Sequence, residues 1–406
     1  MADRVRDERG MIPGADTIGA PQVTEPKAYS APTASNAILE NARKVCVEVL
    51  GPHAQEADRA ARPRVENFEA LASYGLLGIA IPKEFGGLDA PAVVQRQYTE
   101  ILASYCGVTT FVQAQHHGAS RMIAGSKSAL LRNTLVPNLA AGRSLCAISF
   151  AHLRRPGPPI LRAMFADGGV RLSGTAPWVT GWGLMNQVVL GATLPDGSFI
   201  YVWSPANRND YPELFEQGGP TRDDWGYLTA SDPLPLCTMN ASATVAIHLD
   251  NWFIPQGHVL SQSDRATMHR NDRNGVLNAT AMPIGCASAG LRILEHAAAS
   301  KKLSSITRAA KSFADEVSEA RNQVERWSNP ESAAVPDFFE RAVGIRAWCI
   351  ELALRTAHAA ITAVSGSANS LDHPAQRLIR ESMFYTVQAQ TIEVMDATLA
   401  RLERDV

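Results

Sequence analysis

The chain has 406 residues, 46% of them hydrophobic and 19% charged, the composition of a globular protein with sizeable cores and two or three structural units. A formal net charge of -2 excludes a general attraction to nucleic acid or to an anionic membrane surface. No apolar run reaches the ~18 residues of a membrane span, because the longest candidate, residues 345–364, is broken by Arg346, Glu351, Arg355 and His358.

Residues 1–33 mix basic and acidic residues with Pro, Ala, Gly and Thr and have no apolar stretch, so they are expected to form a mobile arm and not a secretion signal. That points to the cytoplasm. A helical region is expected over 34–145. Its helices are expected at 38–50, at 63–74 with Gly75 as the stop, at 90–106, at 109–124 and at 128–140. Between the second and third, residues 76–88 carry Pro82, Gly86 and Gly87 and read as a turn.

The period changes at 146–255, where short β-prone runs at 170–172, 186–192, 198–204 and 242–249 alternate with the hairpin signals Gly168-Gly169 and Asp196-Gly197. This predicts a β-barrel or sandwich interrupted by a long polar excursion over 207–238. From 256 to 406 the pattern is helical again. Phe313, Val317, Ala320, Val324 and Trp327 recur at helical spacing, and 275–299, 337–364 and 374–402 supply three further helices, which reads as a four-helix bundle. The fold class is therefore α+β, with a helical domain, a β-domain and a helical bundle in that order. The six cysteines stand singly and are expected to be reduced core residues, with no disulfide and no metal site.

Helices, a β-domain and a four-helix bundle in this order resemble the acyl-CoA dehydrogenase superfamily. The segment from Leu71 to Leu88, ending Pro82-Lys83-Glu84-Phe85-Gly86-Gly87, resembles that family's helix and P-x-E-[FY]-G-G turn. Trp178-Val179-Thr180 resembles its W-[IV]-T strand end, Asp250 to Leu260 its exit from the β-domain, and residues 374–391 its last long helix. The resemblance implies a flavin, FAD with FMN as the alternative, in contact with Trp178, Val179 and Thr180 and with Ser149 and Phe150 on an earlier strand. A flavin is a flat aromatic with polar edges. Trp178 and Thr180, two apart on a strand, would offer it a stacking wall and a hydroxyl on one face. The resemblance also implies cofactor contacts at Gly366, Gln388 and Thr391, and a homodimer or homotetramer. The alternatives are an interface role for Trp178 and a surface mid-helix position for Thr391.

Several family positions are changed. The general base, a glutamate two residues before Thr391, is replaced by Ala389, which cannot accept a proton. At the second position where family members carry that base, Gly275 stands, and Asp272 is the nearest carboxylate. Asp272 is a candidate base, or an ordinary charge near a helix end. The R-x-x-F-G motif is absent, and Lys301 and Lys302 stand there. His152 to Pro159 replaces the family's turn after the flavin-edge strand. His116 and His117 are further candidates for acid–base chemistry, since histidine titrates near neutral pH; the alternative is a pair of satisfied core histidines. Adjacent histidines point about 100° apart on a helix, which argues against a shared metal.

Three functions follow from the resemblance. The first is dehydrogenation of an acyl thioester by flavin with an unconventional base. The second is a monooxygenase or N-oxygenase fed with reduced flavin by a partner reductase, and the third is a non-catalytic relative that binds an acyl group or a partner.

Overall fold

The computed structural model describes residues 34–211, 214 and 224–403. The arm expected at 1–33, and residues 212, 213 and 215–223 of the polar excursion, lie outside the described residues. Six helices open the chain: α1 (Ala34–Val45), extended by a π turn at Cys46–Leu50, α2 (Ala54–Arg59), α3 (Val65–Ser73), α4 (Ala92–Ala103), α5 (Gly107–Ala124) and α6 (Ala129–Ala140). Gly75 stops α3 in the left-handed conformation at φ +68, which costs glycine little. The turn that follows is closed by its own backbone, with Leu88 N–H donating to Gly78 O, Asp89 N–H to Ile81 O and Ala90 N–H to Ile79 O, each at 2.9 Å. Gly87 is obligatory there, because a Cβ would lie 2.0 Å from the Ile81 carbonyl oxygen.

The middle of the chain forms a β-domain whose eight strands belong to one mixed hydrogen-bonded sheet. Its strands are β1 (Cys146–Ser149), β2 (Leu161–Ala166), β3 (Gly169–Val179), β4 (Gln187–Thr193), β5 (Phe199–Pro205), β6 (Tyr227–Ala230), β7 (Val245–Pro255) and β8 (Val259–Ser263). The order is β6-β7-β3-β2-β4-β5-β8, with β1 parallel to β4 off that path. The hairpins signalled by Gly168 and Gly197 join β2 to β3 and β4 to β5, and both glycines have positive φ. β8 pairs with β5, so the sheet continues past residue 255 to Ser263.

The C-terminal part contains α7 (Arg265–Asn274), α8 (Ala281–Lys301), α9 (Ser304–Trp327), α10 (Phe338–Val364), α11 (Pro374–Val387) and α12 (Ile392–Leu402). The stripe on α9 buries Val317, Ala320 and Val324 against Ile284 and Ala287 of α8 and Cys349 and Leu352 of α10. The single helix expected over 374–402 is broken at residues 388–391, where Ala389 adopts φ +48. Five cysteines are buried, whereas Cys237 is exposed, which corrects the expectation of six core thiols. Among the described residues no helix is long and apolar enough to cross a membrane.

Candidate active site

Trp178 stands near the end of β3, where the pairing with β7 shifts register between Ala176 and Val179. This bulge holds Trp178 at φ +62, a conformation that costs a non-glycine residue about 1–2 kcal/mol, and re-aims its side chain outward. The indole is 44% exposed. The bulge also cancels the rule that residues two apart share a face. Thr180 is buried, with its Oγ1 3.0 Å from Thr244 Oγ1, which in turn lies 2.8 Å from Ser242 Oγ. The expectation that Thr180 presents its hydroxyl beside the indole is thereby corrected: that hydroxyl is spent inside the sheet. Val179 is buried opposite Val245. Ser149, at the end of β1, donates its Oγ–H to Pro177 O at 2.8 Å and so ties β1 to the residue before Trp178. Phe150 lies edge-on to Tyr201, with the Arg154 guanidinium over its ring.

A second group forms at the break between α11 and α12. Gln388 and Ala389 lie in the break, where no continuing helix satisfies their carbonyls. Here Arg346 of α10 takes both, its Nη2 donating to Gln388 O at 2.9 Å and to Ala389 O at 2.8 Å. Thr391 is the N-cap of α12, its hydroxyl accepting from Val394 N–H, and not a mid-helix residue. The Gln388 side-chain nitrogen has Met282 Sδ, a weak acceptor, at 3.6 Å. Arg346 is only 4% exposed, and burial lowers its pKa to about 10.

Asp272, in the last turn of α7, is held by both oxygens, at 2.8 and 2.7 Å, in a bidentate pair with Arg154. Both of its oxygens are thereby occupied by the guanidinium. Lys301 donates to Ala363 O at 2.6 Å and so caps the end of α10, which removes it as a phosphate contact, and Lys302 ends α8 in the left-handed conformation. Gly366 is exposed with open space where a Cβ would stand.

The two histidines lie on α5. His116 is fully buried, its Nδ1 accepting from the Cys146 N–H at 3.3 Å and its Nε2 3.5 Å from Ser120 Oγ. It joins α5 to the start of β1, and burial lowers its pKa to about 4. Half-buried His117 meets the Gln113 amide at 3.2 Å and is held neutral by burial and by the neighbouring His116 and Arg121. The geometry gives His116 the role of a core residue. It also has a consequence for acid stability. The unfolded chain protonates His116 near pH 6.5 and the folded one near 4, so its contribution is complete above pH 6.5 and is lost as pH falls toward 4. Wild type is expected to lose about 2–3 kcal/mol between pH 7 and 4.5 from this residue. His116→Asn, which keeps an acceptor for Cys146 N–H, is expected to show a shallower fall in urea-unfolding midpoints. Parallel pH curves for the two proteins would reject this.

Arg346 is the residue that sequence reasoning missed. It appeared only as an interruption of an apolar run, although it is in helical phase with buried Ala342 and Ile350. A charge on the buried stripe of a helix is the signal that could have found it.

Residues 33–143 match the family model described as "Acyl-CoA dehydrogenase, N-terminal domain". The chain is 22% identical to a probable acyl-CoA dehydrogenase of Bacillus subtilis, YngJ, over 90% of this chain and 96% of that protein. These matches support the acyl-CoA dehydrogenase superfamily for this chain. Its fold is that of butyryl-CoA dehydrogenase from Megasphaera elsdenii, with a TM-score of 0.74 at 17% identity over 93% of this chain and 100% of that one. A glutaryl-CoA dehydrogenase from Mycobacterium smegmatis, solved with FADH2, matches with a TM-score of 0.74 at 16% identity over 92% of this chain and 95% of that one. Within this superfamily fold the open indole of Trp178 fits a flat aromatic cofactor, while Lys301, occupied at Ala363, offers nothing to a phosphate.

Proposed function

We propose that the chain is a flavin-dependent oxidoreductase that binds FAD against Trp178 and dehydrogenates an acyl thioester. The observation that carries this reading is the indole of Trp178, left 44% exposed and fixed in a costly backbone conformation at the corner of β3. A bulge of this kind is kept where it re-aims a side chain for use. When bound, the flavin supplies a two-electron acceptor. The protein's part is to stack on it through Trp178, to keep β1 and β3 rigid through Ser149 and the Thr180–Thr244–Ser242 hydroxyl chain, and to close the site with the 388–391 turn. The similarity of the chain to acyl-CoA dehydrogenases supports an acyl thioester as substrate. The exposed Ile392, Met395, Leu399 and Leu402, which recur along α12, support a homodimer or homotetramer.

A specific observation favours a second reading. Ala389 cannot take a proton, Asp272 is locked to Arg154, and His116 is sealed in the core. A monooxygenase or N-oxygenase supplied with reduced flavin by a partner reductase needs no base at position 389. Adding an acyl-CoA anaerobically to the purified protein separates the two. Bleaching of the absorption near ~450 nm is the expected result of dehydrogenation. No bleaching, together with product formation only when oxygen and reduced flavin are supplied, would move the assignment to the oxygenase.

A further inference from the structure

The turn after β1 (Ala151–Arg154) and helix α7 are joined into one surface. Leu153 of the turn and Met268 of α7 pack together with Phe199, and Arg154 of the turn holds Asp272 of α7 by both oxygens. In a chain of net charge -2, residues 151–155 and 264–274 carry five arginines against two aspartates. Of these arginines only Arg154 forms a salt bridge among the described residues. Arg155, Arg265, Arg270 and Arg273 are exposed. Three of them are nevertheless held in place, and by neutral groups. Arg265 lies over the Phe199 ring at 5.5 Å, Arg273 over the Phe339 ring at 3.9 Å, and Arg270 donates to Thr267 Oγ1 at 3.1 Å. Asp264, the second carboxylate, is occupied as the N-cap of α7 and accepts from Thr267 N–H at 2.6 Å. Arginines fixed in this way keep their charge and most of their donors for an anion from outside.

The spacing decides what kind of anion. Arg265 and Arg273 stand about 12 Å apart along the exposed side of a helix, whereas a small ligand is gripped in a concave pocket. A lipid surface is disfavoured, because the one long apolar side chain of α7, Met268, is buried and none is left to insert. The surface also borders the proposed flavin site. Ser149, bonded to the residue before Trp178, precedes Arg155 by at most about 22 Å of chain. We infer that this surface docks a small acidic carrier protein that brings the acyl group as a phosphopantetheine thioester, so that the chain takes a protein-borne thioester in preference to a CoA-borne one. The inference rests on the acyl-thioester reading above and narrows it. The arginines pair with carboxylates on the carrier, and the flexible arm covers the remaining distance to Trp178.

The test is calorimetric titration of the full-length protein, flavin as purified, with a butyryl group carried on CoA and on a fatty-acid acyl carrier protein. At low salt the carrier-borne form is expected to bind about tenfold tighter or more, and raised salt is expected to erase that advantage. The double variant Arg265→Glu, Arg270→Glu, altered at exposed positions, is expected to weaken the carrier-borne form about tenfold or more and to leave butyryl-CoA unchanged. Arg265→Gln, Arg270→Gln is expected to fall between the two. A carrier that binds no more tightly than butyryl-CoA, or equally well to the reversed variant, would overturn the inference and leave the acyl-thioester reading standing. Vesicles of anionic lipid that bind the wild type and not the reversed variant, in a protein indifferent to the carrier, would overturn it in favour of a membrane. Binding of neither thioester would overturn the inference and the acyl-thioester reading together.

Discussion

Placing a carboxylate at position 389, as Ala389→Glu, is expected to raise the rate of anaerobic flavin reduction by a neutral acyl thioester such as butyryl-CoA by about 10²–10⁴. Alanine at this position holds the turn open but takes no proton. The backbone is already suited to the change. Residue 389 sits at φ +48 and is exposed, and alanine already bears the roughly 1–2 kcal/mol cost of that conformation, so a longer side chain adds little. Arg346, bonded to the carbonyl of the same residue, would pair with the new carboxylate and depress its pKa. The gain is therefore expected toward the lower end of the range, and larger in the Arg346→Met background. Stopped-flow bleaching measures it. An unchanged rate in a protein with full flavin content would mean that position 389 does not face the reacting carbon.

The second large effect is on stability. Arg377 and Glu381 form a buried pair at 2.7 Å, Arg377 also donates to Gln55 Oε1 at 2.8 Å, and Arg380 one turn further on pairs with Asp58, so α11 is pinned to α2 by charge. Glu381 also lies against the first residue of α5, where a Cβ on Gly107 would stand 2.6 Å from its Cδ. Desolvation already holds the Glu381 carboxyl above the usual range. Arg377→Met leaves it buried without its cation, and a loss of about 3–5 kcal/mol is expected from urea unfolding at pH 7. The loss should shrink at acid pH. A carboxyl whose folded pKa is raised contributes fully below its unfolded value, and that contribution is lost as pH rises through the folded one. The double variant Arg377→Met, Glu381→Leu is expected to recover most of the stability, because an apolar pair of similar volume carries no buried charge. A loss under about 1 kcal/mol for the single variant would show that the pair is far better hydrated than its burial implies.

Much of the architecture could be read from residue patterns, and the exceptions have identifiable causes. The turn at 76–88 was legible because Pro82, Gly86 and Gly87 leave few other conformations. The stripe on α9 was legible because its apolar residues keep one phase over several turns. The break at 388–391 was not. No glycine or proline marks it, and the residue that satisfies its carbonyls, Arg346, comes from another helix. Trp178 was legible as an aromatic candidate, but its bulge depends on how β3 and β7 are paired, which no local pattern records. For the same reason Thr180 was placed on the wrong face. His116 and His117 looked like chemistry because paired histidines are rare and polar. Only packing reveals that one of them accepts a backbone hydrogen bond from β1 in the core.

The central claim is that a flavin rests on Trp178, and its most direct test is the cofactor content of purified protein and of a Trp178→Ala variant. Denaturing the wild type is expected to release about one FAD per chain. Trp178→Ala, altered at a half-exposed surface position, is expected to keep its melting midpoint within a degree or two and to bind FAD about tenfold more weakly. A wild-type protein that neither carries flavin nor takes it up when FAD is supplied in excess would contradict the account.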